Sequence, residues 1–443
     1  MDGPAGTPAA ALTPMVSAPS RDPRQADAAG GSPAGPARKG LRWARSPLPA
    51  WTGLERRDIA PLLALGGGAL VPVMVSWSTG LLLLALAVAA FEGRYRGLGA
   101  ALARHPLTPP ALALSAWLLL SLLWDQAPLG EALHGLKKYR ELLLLVALLP
   151  LFRGGRWRRW GIRAFVGVML LTLLLSLLKA SGLVHLGGTD AGTVFKNRIT
   201  QNLFMALAAW QVGAWALAGG GWRRRALGLL WALMAFDCFF LVGGRTGQLV
   251  FVALGLWFFY RRLGVKALGW ALVALPVLGL TTYVGSDVFR GRVDALRQSL
   301  GEYREGGYTT STALRLSYYR NALGLIGERP LCGYGVGAFE TAYRAWVRGT
   351  PYPPTRHPHN EYLMLGVQGG LVAAGLFLWL LWRQWRAARS LDPEARGLAE
   401  ALVMTFALGC LLNSFLYDST EAHLWAWLSA LLYAGLWPGK AAA

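Results

Sequence analysis

Apolar residues run through this chain in long blocks separated by short polar breaks, and the blocks have the length of bilayer-crossing helices. A helix needs about 20 predominantly apolar residues to cross the hydrocarbon of a membrane, with some latitude. Blocks of this kind occupy residues 59–77, 79–92, 108–124, 138–152, 160–179 and 199–219. They continue at 226–242, 247–260, 265–283, 360–382, 398–416 and 421–437. The pattern predicts an all-α polytopic membrane protein with about 12 transmembrane helices, the first two divided at Ser78. Several blocks are short, which predicts tilted or re-entrant elements.

Two regions stand outside the pattern. Residues 1–55 are rich in Ala, Pro and Gly with scattered Arg and no apolar run, and read as a disordered cytoplasmic tail rather than a signal peptide. Residues 284–359 are polar, carry ten Arg, and include the amphipathic stretches SDVFRGRVDALRQSLGEYREG and LSYYRNALGLI. A connection this long is usually functional. The organisation expected is therefore a tail (1–55), helices 1–9 (56–283), a loop with amphipathic helices (284–359) and helices 10–12 (360–438).

Composition narrows the class further. Of 443 residues, 54% are hydrophobic and only 15% charged, and the mean hydropathy is +0.38. Soluble domains carry about 25% charged residues. A cytosolic enzyme is therefore not the expectation. The formal net charge of +21 would suggest nucleic acid in a soluble protein. In a polytopic protein the bases first report orientation. Arg94, Arg96 and Arg104, then Arg153, Arg156, Arg158, Arg159 and Arg163, then Arg223 to Arg225 fall on alternate loops. Arg261, Arg262 and Lys266, then Arg383, Arg386, Arg389 and Arg396 continue the series. Those loops are assigned to the cytoplasm with both chain ends, which puts residues 284–359 outside. No nucleic acid is then needed as a partner. The bases left on the outer face require another explanation. Cys238, Cys332 and Cys410 show neither disulfide-framework nor zinc-site spacing.

Three outer positions could do chemistry. Arg315 precedes the amphipathic stretch that ends near Pro330, followed by the turn Gly333-Tyr334-Gly335-Val336-Gly337. Arg245, in LVGGRTGQLVF, sits at the outer boundary between two spans, where Gly243 and Gly244 leave room for a phosphate. His359, in TRHPHNEYLMLGVQGGLVAAG, stands where the long loop meets a helix, and a neutral imidazole there could take a proton from a hydroxyl. His357 lies two residues further out. Each has a plain alternative: a solvated charge, a snorkelling Arg, a capping His. Lys196, Arg198, Arg320 and Asn360 complete the candidate binding set, and Lys137, Lys138 and Arg140 add outer bases. Asp418, Glu421 and His423 are candidate counter-charges. No acid pair has metal-ligand spacing, and no nucleophile elbow, H-E-x-x-H or Walker sequence occurs, so neither a metal nor a cofactor is expected.

Taken in order, GGRTG, then Arg315 before a helix ending ERPLCGYGVGAF, then HPHNEYLMLGVQGGLVAAG, resemble the O-antigen ligase and polymerase superfamily. The motifs span about residues 190–435. The resemblance implies a GT-C-type glycosyltransferase of the bacterial inner membrane, with a long helical periplasmic loop between helices 9 and 10. It implies transfer of a glycan from undecaprenyl diphosphate to an acceptor on the periplasmic face, with His359 activating the acceptor and Arg245 and Arg315 stabilising the diphosphate. Ala313-Leu314 depart from the small residues that many relatives carry before the Arg. In the ligases the acceptor is a sugar hydroxyl of lipid A core, and this reading leads. It expects a monomer among inner-membrane lipids, with metal-independent, inverting transfer. An O-antigen polymerase and a protein O-oligosaccharyltransferase share the donor, although protein-modifying relatives tend to carry extra sequence after the last span. A transporter of lipid-linked anions would need charges deep in several helices, whereas Asp237 is an isolated example here.

Overall fold

The computed structural model describes residues 55–187, 191–285 and 287–437. All belong to the larger of two compact units, Arg45–Ala443; the smaller, Met1–Ala44, and with it most of the expected tail, lies outside the described residues.

The described residues are helical, without strands. The first half comprises α1 (Ile59–Leu70), α2 (Val75–Phe91), α3 (Gly99–Arg104), α4 (Thr108–Leu120), α5 (Leu129–Lys138), α6 (Glu141–Leu148), α7 (Gly155–Ala180) and α8 (Arg198–Ala218). Then come α9 (Gly221–Phe236), α10 (Arg245–Leu263) and α11 (Val265–Gly285). The long loop holds α12 (Asp287–Arg304), α13 (Ser311–Glu328) and α14 (Phe339–Trp346), before α15 (Glu361–Ala388), α16 (Pro393–Cys410) and α17 (Ser419–Tyr433). Each apolar block is largely helical. By length and composition, α7 and α15 each suffice to cross a bilayer.

The first break differs from expectation. Ser78 is buried inside α2, and the chain turns at Val71 to Met74 instead. Pro72 has no N–H and its ring crowds the carbonyl one turn back, so α1 cannot continue. The amides of Val73 and Met74 both turn onto the Leu70 carbonyl, at 2.9 and 2.8 Å.

Burial follows sequence character. Alpha-helix α17 is buried from Glu421 to Tyr433 and α8 from Thr200 to Val212, as expected of central helices that are apolar nearly all round. Around them, Phe91, Leu123, Phe240 and Leu272 are exposed, an apolar exterior suited to lipid. The loops assigned to the cytoplasm touch one another. Arg156 pairs with Asp58 and Arg158 with Asp392, Arg383 donates to the Pro106 carbonyl at 3.1 Å, and the Arg153 guanidinium lies 4.0 Å over the Trp437 ring.

Helix α15 is broken where one uninterrupted span was expected. Gly370 has φ +70°, and a methyl group there would come within 2.0 Å of the Leu331 carbonyl oxygen. The turn at Pro330 to Gly337 inserts at this kink and satisfies its freed backbone groups. The Tyr334 and Gly335 amides donate to the Val367 and Gln368 carbonyls at 2.9 and 2.8 Å, and the Leu371 amide donates to the Pro330 carbonyl at 2.7 Å. An irregular segment in an apolar helix needs such internal partners. The glycine-rich turn therefore fixes the N-terminal half of α15, which begins beside His359.

Candidate active site

Three arginines meet at three helix starts. Asn197 caps α8, its oxygen accepting from the amides of Ile199 and Thr200 at 2.9 and 3.0 Å, and so sets Arg198 as the first helical residue. Arg245 opens α10, which packs tightly on α8. A methyl group at Gly244 would lie 2.7 Å from the Arg198 carbonyl, and one at Gly247 would lie 2.2 Å from Asn202 Cβ. These glycines therefore permit close helix approach and set Arg245 beside Arg198. The room expected for phosphate survives only at Gly243, which has nothing near it. Thr310 caps α13, and the Arg245 guanidinium donates to Thr312 Oγ1 in its first turn at 3.4 Å. Arg315 lies three residues on, on the same helix face as Thr312.

The cluster is charged strongly enough to act on itself. Burial pushes the Arg315 pKa down, and the charges of Arg245 and Arg198 push it further, against the opposing effect of Tyr319. Helix N-termini add positive potential at the same place. A bound anion would relieve this self-repulsion, and guanidinium forks match phosphate oxygens.

His359 faces this cluster. It is the one non-glycine residue with positive φ (53°) among the described residues, a conformation that costs about 1–3 kcal/mol and persists when surroundings impose it. Here the Tyr319 hydroxyl, on α13, lies 3.1 Å from the His359 carbonyl. The next residue, Asn360, caps α15 by accepting from the Leu363 amide at 3.0 Å and donates to the Leu411 carbonyl at 3.0 Å. The turn is thus held from α13, α15 and the loop after α16. Burial, then the charges of His357 and Arg315, push the His359 pKa down to about 4, against the opposing effect of the Asn413 side chain. The imidazole is neutral at physiological pH.

His357 is not further out, as its sequence position suggested. The Pro358 turn folds it back so that the two imidazole centroids are 4.2 Å apart. Burial lowers its pKa, Asp418 raises it, and Arg315 and Lys138 lower it. Lys138 also lies 5.2 Å over the Tyr417 ring.

Of the expected binding residues, Arg198 joins the cluster. Lys196 is half-buried near Glu421; burial lowers its pKa, and the carboxylate opposes this. Arg320 is exposed further along α13, beside Tyr308. Asn360 serves as cap and tether. Of the expected counter-charges, Asp418 faces His357 and Lys138, Glu421 faces Lys196, and His423 pairs with Glu141 at 2.9 Å. A cavity of about 190 Å³ opens between α2 and α6, lined by Leu82, Leu86 and Leu144, with Arg140, Glu141 and His423 at its polar end. Sequence reasoning missed Asn413 and Tyr319, which belong to no motif.

All-helical described residues with apolar exterior helices are consistent with a helical membrane protein, and cations and an imidazole gather at its helix starts. A family model described as O-antigen ligase matches residues 229–380, a segment that carries Arg245, Arg315 and His359. Over that segment the chain is similar to the O-antigen ligase family. No curated protein matches it.

Proposed function

We propose that this protein is an O-antigen ligase of the bacterial inner membrane, a GT-C-type fold of about 12 spans with its active site on the periplasmic face. It transfers a glycan from undecaprenyl diphosphate to a sugar hydroxyl of lipid A core. The observation that carries this reading is the neutral His359 beside Arg315, with Arg245 and Arg198 behind it.

In the proposed step, the acceptor oxygen attacks the anomeric carbon of the donor. The bond from that carbon to the diphosphate oxygen breaks, and the diphosphate leaves with the electron pair. Direct displacement inverts the anomeric configuration and forms no covalent glycosyl-enzyme. The hydroxyl proton passes to His359, help worth about 10²–10⁴-fold. The guanidinium groups bind the diphosphate and stabilise its growing charge, the role a metal plays in other glycosyltransferases. Substrate binding also tunes the base. The low pKa keeps His359 unprotonated in the free enzyme, and the negative diphosphate offsets the nearby cations, so the pKa rises when a proton must be accepted. The apolar cavity between α2 and α6 suits a lipid chain.

The test is reconstitution of the purified protein with undecaprenyl-diphosphate glycan and chelator, offering lipid A core, donor alone or an acceptor protein. Transfer to lipid A core is expected. Elongation of the lipid-linked glycan would identify a polymerase instead, and transfer to protein an oligosaccharyltransferase.

A further inference from the structure

The turn that presents Arg245 is irregular and is held by side chains from neighbouring helices. At the end of α9 the helix widens over Asp237–Leu241, so that the Val242 amide reaches back five residues to the Asp237 carbonyl at 2.9 Å. The chain then leaves the helix through Val242, Gly243 and Gly244 before α10 begins at Arg245. Widening and exit deprive carbonyls of their regular helical donors. In apolar surroundings those carbonyls must find donors within the protein.

Two side-chain amides supply them. Asn202 of α8 is fully buried, and its Nδ2 donates to the Val242 carbonyl at 2.9 Å and the Cys238 carbonyl at 3.3 Å. Gln248, three residues into α10, donates from Nε2 to the Cys238 and Phe239 carbonyls at 3.1 and 3.4 Å. Carbonyl oxygens only accept, so the Asn202 nitrogen must face them. Its Oδ1 is left buried without a hydrogen-bond partner among the described residues. An unpaired buried oxygen is a cost, so this amide does not serve stability alone. Asn202 also stands one helical turn after Arg198, on the same face of α8. Gly244 and Gly247 leave the space it fills. A methyl group at Gly244 would lie 3.1 Å from Asn202 Nδ2, and one at Gly247 would lie 2.2 Å from its Cβ. One side chain thus joins the helix bearing Arg198 to the turn bearing Arg245.

We infer that Asn202 is a positioning residue for the diphosphate clamp, setting the exit turn of α9 and through it the placement of Arg245 against Arg198. The inference rests on the reading of Arg245 as a diphosphate-binding group. It explains why a polar amide is buried at the contact of two helices whose glycines already allow close approach. Being buried beneath the turn, Asn202 acts through Arg245 and not on the substrate itself. Gln248 supports the same turn from the other side.

The experiment compares full-length wild type, Asn202→Leu, Arg245→Gln and the double variant. It measures donor and acceptor KM and kcat from initial transfer rates, and binding of inorganic pyrophosphate by calorimetry. Leucine keeps the volume of the side chain and loses the donor. Asn202→Leu is expected to raise the donor KM and weaken pyrophosphate binding by about tenfold or more, with the acceptor KM unchanged. Added to Arg245→Gln, it should have little further effect, because the two residues act as one unit. If Asn202→Leu does not fold, Asn202→Ala, which adds no bulk, takes its place in the same cycle and is read in the same way. Effects that multiply in the double variant, as a general loosening of the fold would give, overturn the inference. So does a wild-type donor KM and pyrophosphate affinity in the Asn202 variant while Arg245→Gln is impaired, an outcome that leaves the clamp reading standing. Wild-type behaviour of Arg245→Gln in both measurements overturns the clamp and the inference together.

Discussion

Replacing Arg315 by Gln should change the pH profile as well as the rate, and the two effects have separate causes. In the free enzyme the His359 pKa is pushed down to about 4, first by burial and then by the charges of His357 and Arg315. Removing the Arg315 charge removes one lowering influence, so the pKa must rise. A single neighbouring charge is worth about one unit at such range, and burial persists, so the limb should remain below the ordinary histidine value of about 6.5. Wild type should therefore keep full kcat/KM down to about pH 5, because its base is unprotonated above its low pKa. The variant should begin to lose activity at higher pH. Its kcat should fall by about 10²–10³, the usual loss when one donor to a developing anion is removed. Arg315→Lys should leave the limb in place, since the charge remains, yet lose rate because an ammonium cannot form the two-pronged phosphate contact. The assay is glycan transfer by purified protein across this pH range, with kcat and kcat/KM separated. A limb that stays put or moves down in Arg315→Gln would refute the electrostatic coupling, and an undiminished kcat would refute the clamp.

Other substitutions test the scaffold. Gly370→Ala places a methyl group against the Leu331 carbonyl at a positive φ, so the melting temperature in detergent should fall sharply; an unchanged value would contradict the kinked helix. Gly244→Ala should push α10 from the Arg198 carbonyl and raise the donor KM more than it lowers kcat, measured by initial rates. Asn360→Ala removes the α15 cap and the tether to Leu411; it should cost about 1 kcal/mol in denaturant unfolding and reduce transfer disproportionately.

The apolar blocks were legible as helices because a long apolar run carries its burial requirement within its own segment. Breaks inside blocks were harder. Pro72 was visible, yet Ser78 drew the boundary because it is the polar residue, although a small hydroxyl can be buried in a helix where a proline cannot continue one. The kink at Gly370 depends on the distant turn at Pro330 to Gly337, and no local pattern in α15 reveals which carbonyls that turn will satisfy. The same limit applies to the site. Arg245, Arg315 and His359 drew attention through their motifs, but the nearness of Arg198 depends on Gly244 and Gly247 packing against α8. Read locally, Gly243 and Gly244 looked like space for a phosphate. His357 was misjudged because chain distance says nothing about how Pro358 folds the ring back. Asn413, in an ordinary polar turn, finds its partner Thr246 on a helix distant in sequence.

The most direct test of the central claim is a single-turnover experiment on donor-loaded protein in chelator, comparing wild type with His359→Ala. The account predicts that both retain the lipid diphosphate glycan, that wild type transfers it to lipid A core with inverted anomeric configuration, and that the variant's transfer rate falls about 10²–10⁴-fold. Transfer by His359→Ala at the wild-type rate, or a product with retained configuration, would contradict it.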